Sequence, residues 1–490
     1  LIISFIITVT LNSCKSAKSM EMEVYETSAN GNSLKKMDSF SLNENPLIIT
    51  LNPNEKFQTI TGFGGSFTES SASLLNRLSK ANRKKILEAY FSEEGANYSL
   101  TRTHIASCDF SLSNYTYAKV ENDLQLEHFT IEDDKEDIIP MILDAKAISK
   151  QGFNIIASPW TCPPWMKDNK KYIGGKLLPQ FNDTFALYFS KYLEAYKKEG
   201  INIWGVTVIN EPHGNGNNWE STLFSPAEMT QFVENHLGPK LENDGWGDLK
   251  ILGYDQNRAG IQEWVDVMYK DEKSSKYYDG LAIHWYESTY EVFPEALQYA
   301  HQKAPNKYLI QTEACVDSEI PHWKDDEWYW KKEATDWGWD WASEKDKYLH
   351  PKYAPVNRYA VDIIGCLNNW VDGWVDWNMV LDTHGGPNWF KNWCVAPVIV
   401  DPEKDEVYFT PLYYVMSHFS KFIRPGAVKI GCSINDKDII ATAVKNPDGT
   451  IAVVIFNPTD KNQTLEISIN NSKKNISISA KAIQTVVIKS

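Results

Sequence analysis

The sequence predicts a (β/α)8 barrel of the TIM type, an α/β fold, joined to a side β-sandwich built from N- and C-terminal strands. Three observations lead there. Eight short apolar runs alternate with amphipathic stretches through the middle of the chain. Polar and ionisable residues stand at the C-terminal end of nearly every run, where barrels of this type gather their chemistry. All 18 Trp fall between Trp160 and Trp393, whereas Phe456 is the single aromatic residue from Gly426 to Ser490. That break divides the chain near residue 420. A doubly wound open sheet also alternates, but it does not ask for polar residues at nearly every strand end.

Composition narrows the class further. A chain of 490 residues, 42% hydrophobic, can bury roughly three quarters of its unfolded surface without a disulfide or metal staple. An aromatic content of 13% excludes a disordered chain. The net charge of −15 leaves no basic footprint, so nucleic acid is excluded as a partner and a neutral substrate fits.

Residues 1–13, LIISFIITVTLNS, are apolar and uncharged but shorter than the about 20 residues a membrane span needs. They predict a secretory signal peptide. Leu11-Asn12-Ser13-Cys14 resembles a bacterial lipoprotein cleavage box, which predicts lipidation of Cys14 and an exported protein, periplasmic or anchored to the outer membrane by that lipid alone. An ordinary signal with an incidental Cys is the alternative. Residues 15–45, rich in Ser, Asn, Lys and Met, read as a flexible tether. Residues 46–60 hold strand-like segments that join the sandwich.

The barrel is predicted over 60–420. Its strands are Ile60–Phe67, Tyr98–Ile105, Phe153–Ser158, Ile203–Ile209, Lys250–Tyr254, Gly280–Trp285, Lys307–Thr312 and Gly373–Asn378. Phe185–Lys198, with apolar residues at helical spacing, is a representative intervening helix. Over 421–490, two alternating runs flank the turn Asn446-Pro447-Asp448-Gly449 and predict a hairpin. Three more strands follow it. The seven cysteines contain no C-x-x-C, so neither a zinc knuckle nor a redox motif is indicated. Export permits disulfides, yet Cys108 and Cys315 sit in apolar runs suited to buried free thiols.

The strand ends carry the chemistry. Strand two ends in Arg102 and His104, followed by Asp109; strand three leads to Trp160; strand four to Asn210-Glu211-Pro212. Strand six ends at His284-Trp285-Tyr286, strand seven at Glu313, strand eight at Trp377-Asn378. Glu211 and Glu313 thus point into one basin lined by aromatic side chains. The Gly62–Gly65 string lacks the residues of a phosphate loop, and His104 and His213 lack H-E-x-x-H spacing, so no cofactor and no metal is expected.

Two converging carboxyl groups with aromatic walls fit glycoside hydrolysis. One carboxyl protonates the leaving oxygen while the other attacks the anomeric carbon or activates water. Asn210 suits a hydrogen bond to the sugar 2-OH, and Arg102 near the nucleophile favours its ionised form. Bland readings stand beside these. Arg102 and Asp109 form a structural ion pair, His284 is a satisfied core histidine, or Trp160 and Trp377 simply fill the barrel mouth. A degenerate barrel that only binds carbohydrate is the alternative of a different class.

Four longer strings narrow the reading. They are Gly62-Phe63-Gly64-Gly65-Ser66-Phe67-Thr68-Glu69, Arg102 through Ser111, Ala157-Ser158-Pro159-Trp160, and Trp374 through Asn378 to Gly385-Gly386-Pro387-Asn388-Trp389. Together with Asn210-Glu211-Pro212 and Glu313 they resemble glycoside hydrolase family 30, the family of lysosomal glucosylceramidase and microbial β-1,6-glucanases. The resemblance runs from about residue 57 to 425 and is weaker beyond. It implies a retaining enzyme with Glu211 as acid/base and Glu313 as nucleophile. It further implies that Arg102, Asp109, Trp160, Asn210 and Trp377 bind the glucosyl unit, that His284 and Tyr286 flank the carboxyl groups, and that Asn392 lies at the rim. The implied substrate is a β-glucoside, a glucan or glucosylceramide. A glucosylceramidase-like activity is the first expectation and an endo-β-1,6-glucanase the second.

One segment is not accounted for by that resemblance. Residues 323–341 hold six Trp interleaved with Asp and Glu. Placed after the nucleophile strand, they are expected to wall subsites for the leaving group, with a buried structural clasp as the alternative.

Overall fold

A computed structural model describes residues 20–335 and 342–489. The N-terminal signal, Cys14 and Trp337, Trp339 and Trp341 lie outside the described residues. Eight parallel strands close into a barrel in chain order: β1 (Gly62–Phe67), β2 (Leu100–Ile105), β3 (Asn154–Pro159), β4 (Gly205–Thr207), β5 (Lys250–Asn257), β6 (Gly280–His284), β7 (Tyr308–Glu313) and β8 (Gly373–Asn378). Strand β8 pairs with both β7 and β1, which completes the ring. Each of the eight predicted runs supplies one strand.

The barrel interior is packed rather than open. Leu100, Ile156, Leu252, Ala282, Ile310 and Val375 form one buried apolar cluster drawn from six strands, as expected of layered side chains in such a barrel. Strand β1 is narrow by composition. A Cβ on Gly64 would collide with the Leu100 carbonyl oxygen of β2, so glycine lets these two backbones approach. The helices cover the outside. The helix Asn182–Lys198 turns Phe185, Tyr188, Phe189, Tyr192 and Tyr196 inward, the periodic face seen in the sequence.

The second module is a nine-stranded sheet. Its order is Lys35–Lys36, Glu21–Ser28, Ala482–Lys489, Ile451–Asn457, Ile440–Lys445, Val428–Ile434, Leu47–Thr59, Gln463–Ile469 and Ser472–Ile478. Val24, Ile49, Leu465, Ile476 and Val486, from both halves of that order, share one apolar core, so the sheet folds over itself as a sandwich. The predicted turn is present, with Gly449 at φ +90° donating to the Asn446 carbonyl at 3.0 Å.

The tether expected over 15–45 is corrected. Glu21–Ser28 pairs antiparallel with Ala482–Lys489 along its whole length. Its polar composition hid it. Val24 enters the core, and Glu26 is buried because Asn32, Ser479 and Gln484 all donate to its carboxylate.

The two modules are locked by the helix Pro411–Ser420. His418 on that helix is buried between Thr27 and Thr485 of the sandwich, at 2.9 and 2.8 Å. Burial pushes its pKa down to about 3. Beyond β8, short strands extend the barrel mouth, and Val316–Asp317 pairs antiparallel with Cys394–Val395. Cys108, Cys162, Cys315, Cys366, Cys394 and Cys432 are free thiols. No helix among the described residues is long and apolar enough to cross a membrane.

Candidate active site

The site is assembled by one guanidinium. Arg102, on β2, is fully buried. Its Nη1 donates to Glu313 Oε2 at 2.5 Å, Nη2 to Asn210 Oδ1 and Asp255 Oδ2 at 2.8 Å each, and Nε to Ser158 Oγ at 3.1 Å. The alternative reading, a structural ion pair with Asp109, is not found; Arg102 makes these contacts instead. Trp160 and Trp377 stack at 5.2 Å between centroids, and the guanidinium carbon lies 4.8 Å from the Trp160 ring. A planar five-donor cation suits this multiple contact, which lysine could not reproduce.

Asp255 was missed in the sequence. The sequence predicts that strand β5 ends at Tyr254, but it continues through an irregularity with Tyr254 and Asp255 at φ +73° and +62°. This brings the Asp255 carboxylate inside, where Thr207, Thr312, His284 and Arg102 all contact it. Burial alone would raise its pKa; Arg102, His284 and Thr207 outweigh that and hold it well below the carboxylate range. The polar run Asp255-Gln256-Asn257 was the available signal.

His284 connects this buried anion to Glu211. Its Nε2 lies 3.0 Å from Asp255 Oδ1 and its Nδ1 3.5 Å from Glu211 Oε1. Burial opposes its charge, but Glu313, Asp255 and Glu211 together push its pKa up to about 9. The second carboxyl has its own donor, since Tyr286 Oη gives a hydrogen bond of 3.0 Å to Glu313 Oε1. Burial pushes the Glu313 carboxyl up, while His284 and Arg102 pull against it.

Glu211 sits in a left-handed backbone conformation, φ +48°. That is uncommon for a non-glycine residue and costs of order 1–3 kcal/mol where it occurs. Its N–H donates to the Asp255 carbonyl at 3.0 Å, so β4 and β5 fix the turn together.

A cavity of about 700 Å³ opens above these groups. Asp109, Glu211, Tyr286, Glu313, Trp377 and Asn392 line it. Arg102, Asn210 and His284 are buried beneath, and Trp160 stands behind Trp377. Neither Arg102 nor Trp160 stands on the cavity lining. Four of the five Arg102 N–H groups meet protein acceptors, and Trp160 stacks on the ring that faces the cavity. Asp109 lines the wall, where burial and then the charges of Glu313, Glu220 and Glu211 push its carboxyl well up. Trp219 and Phe390 form an aromatic pair at 5.3 Å on the cavity lining. Neither was singled out in the sequence, because both come from loops between strands.

His104 is buried and held by the backbone. Its Nδ1 meets the Ala106 carbonyl and its Nε2 accepts from the Glu69 N–H. His213 accepts from Trp264 Nε1 at 2.9 Å. The Trp-rich segment departs from expectation in its described part. Trp328 and Trp330 are buried in a short helix that packs on the helices Pro355–Asn368 and Pro411–Ser420, and Trp323 meets Tyr408. None of the three lines the cavity, which fits the clasp reading for those three.

Comparison with known proteins agrees with this architecture. The family model "Glycosyl hydrolase family 30 TIM-barrel domain" matches residues 60–423, and "Glycosyl hydrolase family 30 beta sandwich domain" matches residues 426–486. The chain is 36% identical to lysosomal acid glucosylceramidase of Mus musculus over 432 residues, covering 86% of this chain and 79% of that protein. It is 28% identical to an endo-1,6-beta-D-glucanase of Neurospora crassa over 393 residues, 78% of this chain and 74% of that protein. Among solved structures, SrfJ from Salmonella typhimurium matches with a TM-score of 0.84 at 29% identity, covering 96% of this chain and 100% of that one. The endo-beta1,6-glucanase BT3312 matches with a TM-score of 0.81 at 29% identity, covering 96% and 99%.

Proposed function

The chain belongs to glycosyl hydrolase family 30 and is a glycosidase, and from that premise we propose that it cleaves β-glucosidic bonds with retention, Glu313 attacking and Glu211 serving as acid/base. The observation that supports this most is the shared anchoring of the two carboxyl groups. Glu313 is gripped by Arg102 and Tyr286, while Glu211 faces His284, and both open into one cavity.

In the first step Glu313 forms a bond to the anomeric carbon as the bond to the leaving oxygen breaks, and Glu211 gives that oxygen a proton. In the second step Glu211 takes a proton from water, whose oxygen displaces Glu313. Arg102 and Tyr286 donate to the attacking carboxylate, which keeps it oriented and favours its anion. Asn210 accepts from Arg102 through Oδ1, so its amide N–H is the end left to meet a sugar hydroxyl. Trp377 offers an apolar face, and Asp109 and Asn392 offer hydrogen-bonding groups on the wall.

For the substrate, the higher identity to a glucosylceramidase favours a glucosylceramide-like β-glucoside. The similarity to BT3312 favours the second reading, an endo-β-1,6-glucanase. The apolar N-terminal run and Cys14 extend the proposal to an exported protein that meets its substrate outside the cytoplasm. The test is product sizing on β-1,6-glucan and on glucosylceramide, with Glu313→Gln as blank. Glucose from the lipid alone supports the first reading. Gentio-oligosaccharides support the second, and no release from any β-glucoside contradicts both.

A further inference from the structure

One wall of the cavity carries a cluster that hydrolysis does not use. The pairing of Val316–Asp317 with Cys394–Val395 gathers three donor atoms. Cys315 Sγ lies 3.5 Å from Cys394 Sγ, and Cys394 Sγ lies 3.3 Å from Asp317 Oδ1. The three donor atoms all fall within 4.8 Å of one another. A tetrahedral zinc ion, with bonds of about 2.3 Å to sulfur and about 2.0–2.2 Å to oxygen, spaces its ligands roughly 3.5–3.8 Å apart. The cluster is close to that spacing.

A disulfide suits the same pair less well. Asp317, not Cys315, stands opposite Cys394 in the ladder, so the two cysteines are diagonal neighbours. Their sulfurs stand 3.5 Å apart, well beyond the about 2.05 Å of an S–S bond. Access is provided, since Cys315, Asp317 and Cys394 all line the cavity that holds Glu211 and Glu313.

We propose that Cys315, Cys394 and Asp317 bind a zinc ion, and that the occupied site inhibits the enzyme. Both thiols are buried and bind a metal as thiolates, so the ion must displace their protons. Two S–H bonds break, two Zn–S bonds form, Asp317 contributes an oxygen, and two protons leave to solvent. No oxidant or reductant takes part. Inhibition follows from position. Tyr286 Oη is 3.4 Å from Cys315 Sγ and also donates to Glu313. An ion on the sulfurs therefore sets its charge and remaining ligand beside the phenol that holds Glu313, inside the substrate's space. Zinc binding itself stands apart from the roles given to Glu211 and Glu313; only the inhibition rests on them.

The experiment titrates the reduced, chelator-stripped full chain with Co2+ and then Zn2+, following absorbance, proton release and hydrolysis. The expected result is one Co2+ per chain with a near-ultraviolet thiolate-to-cobalt band, displaced by Zn2+, with two protons released and activity lost. Cys394→Ala should remove the band and weaken Zn2+ by more than the about 100-fold that loss of an outer-shell partner costs. Asp317→Asn should keep the band but bind more weakly, and Cys432→Ala should behave as wild type. The proposal is overturned by a wild type without the band, by a band that persists in Cys394→Ala, or by two thiols already lost to a disulfide before metal is added. Zinc inhibition that survives in Cys394→Ala overturns the regulatory part.

Discussion

Arg102 and Glu313 meet at 2.5 Å, Nη1 to Oε2, with the guanidinium wholly removed from water. The same side chain also holds Asn210, Asp255 and Ser158, so one cation ties together groups from β3, β5, β7 and the turn after β4. Removing it strands two buried carboxylates. Breaking a buried pair from one side costs about 3–5 kcal/mol. Arg102→Met should therefore lose about that much stability in urea unfolding and nearly all activity. Arg102→Lys keeps the charge but not the fork, and should retain more stability than activity.

The two carboxyl groups are assigned separable tasks. Glu313→Gln should lower kcat by at least about 10³-fold for every β-glucoside, because no nucleophile remains. Glu211→Gln should lose about 10²–10⁴-fold on substrates with poor leaving groups. It should lose far less in glycosylation with an activated aryl leaving group that needs no proton. Equal losses on both classes of substrate would contradict the division.

His284 makes stability depend on pH on the alkaline side. Its pKa is raised to about 9 from an ordinary value near 6.5. A group raised on folding stabilises fully below its unfolded pKa and loses that contribution as pH rises through the folded one. The protein should thus lose on the order of 3 kcal/mol between about pH 6.5 and pH 9. His284→Gln should flatten that slope. Denaturant unfolding at pH 6, 8 and 9.5 measures it, and an unchanged slope in the variant would assign the dependence elsewhere.

Much of this arrangement was legible in the sequence, for identifiable reasons. Strand β7 and Glu313 were visible because the apolar run Tyr308–Ile310 gives way to polar residues that end in a carboxylate. Asn210-Glu211-Pro212 was visible in the same way. Asp255 was hidden because the two left-handed residues on β5 break the period by which strands are read. Glu21–Ser28 was hidden because its buried glutamate is satisfied by donors almost 460 residues away, such as Gln484. Cys394 gave no local sign of its nearness to Cys315, because the two cysteines lie 79 residues apart in sequence and meet only through two short paired strands.

The close approach of β1 to β2 is testable by a single methyl group. A Cβ at Gly64 meets a backbone carbonyl rather than a flexible side chain, so the barrel must open locally to admit it. Gly64→Ala should cost about 1–3 kcal/mol or more. Gly247→Ala, where nothing lies within 4 Å, is the control and should be near neutral in the same unfolding assay.

The most direct test of the account is covalent trapping. The enzyme is incubated with a 2-deoxy-2-fluoro-β-glucoside bearing a good leaving group, then digested and mapped by mass spectrometry. The account predicts one fluoroglucosyl adduct per chain, on the peptide that contains Glu313, with loss of activity at the rate of labelling. An adduct on another carboxylate, or activity toward β-glucosides with inverted product and no adduct, would contradict it.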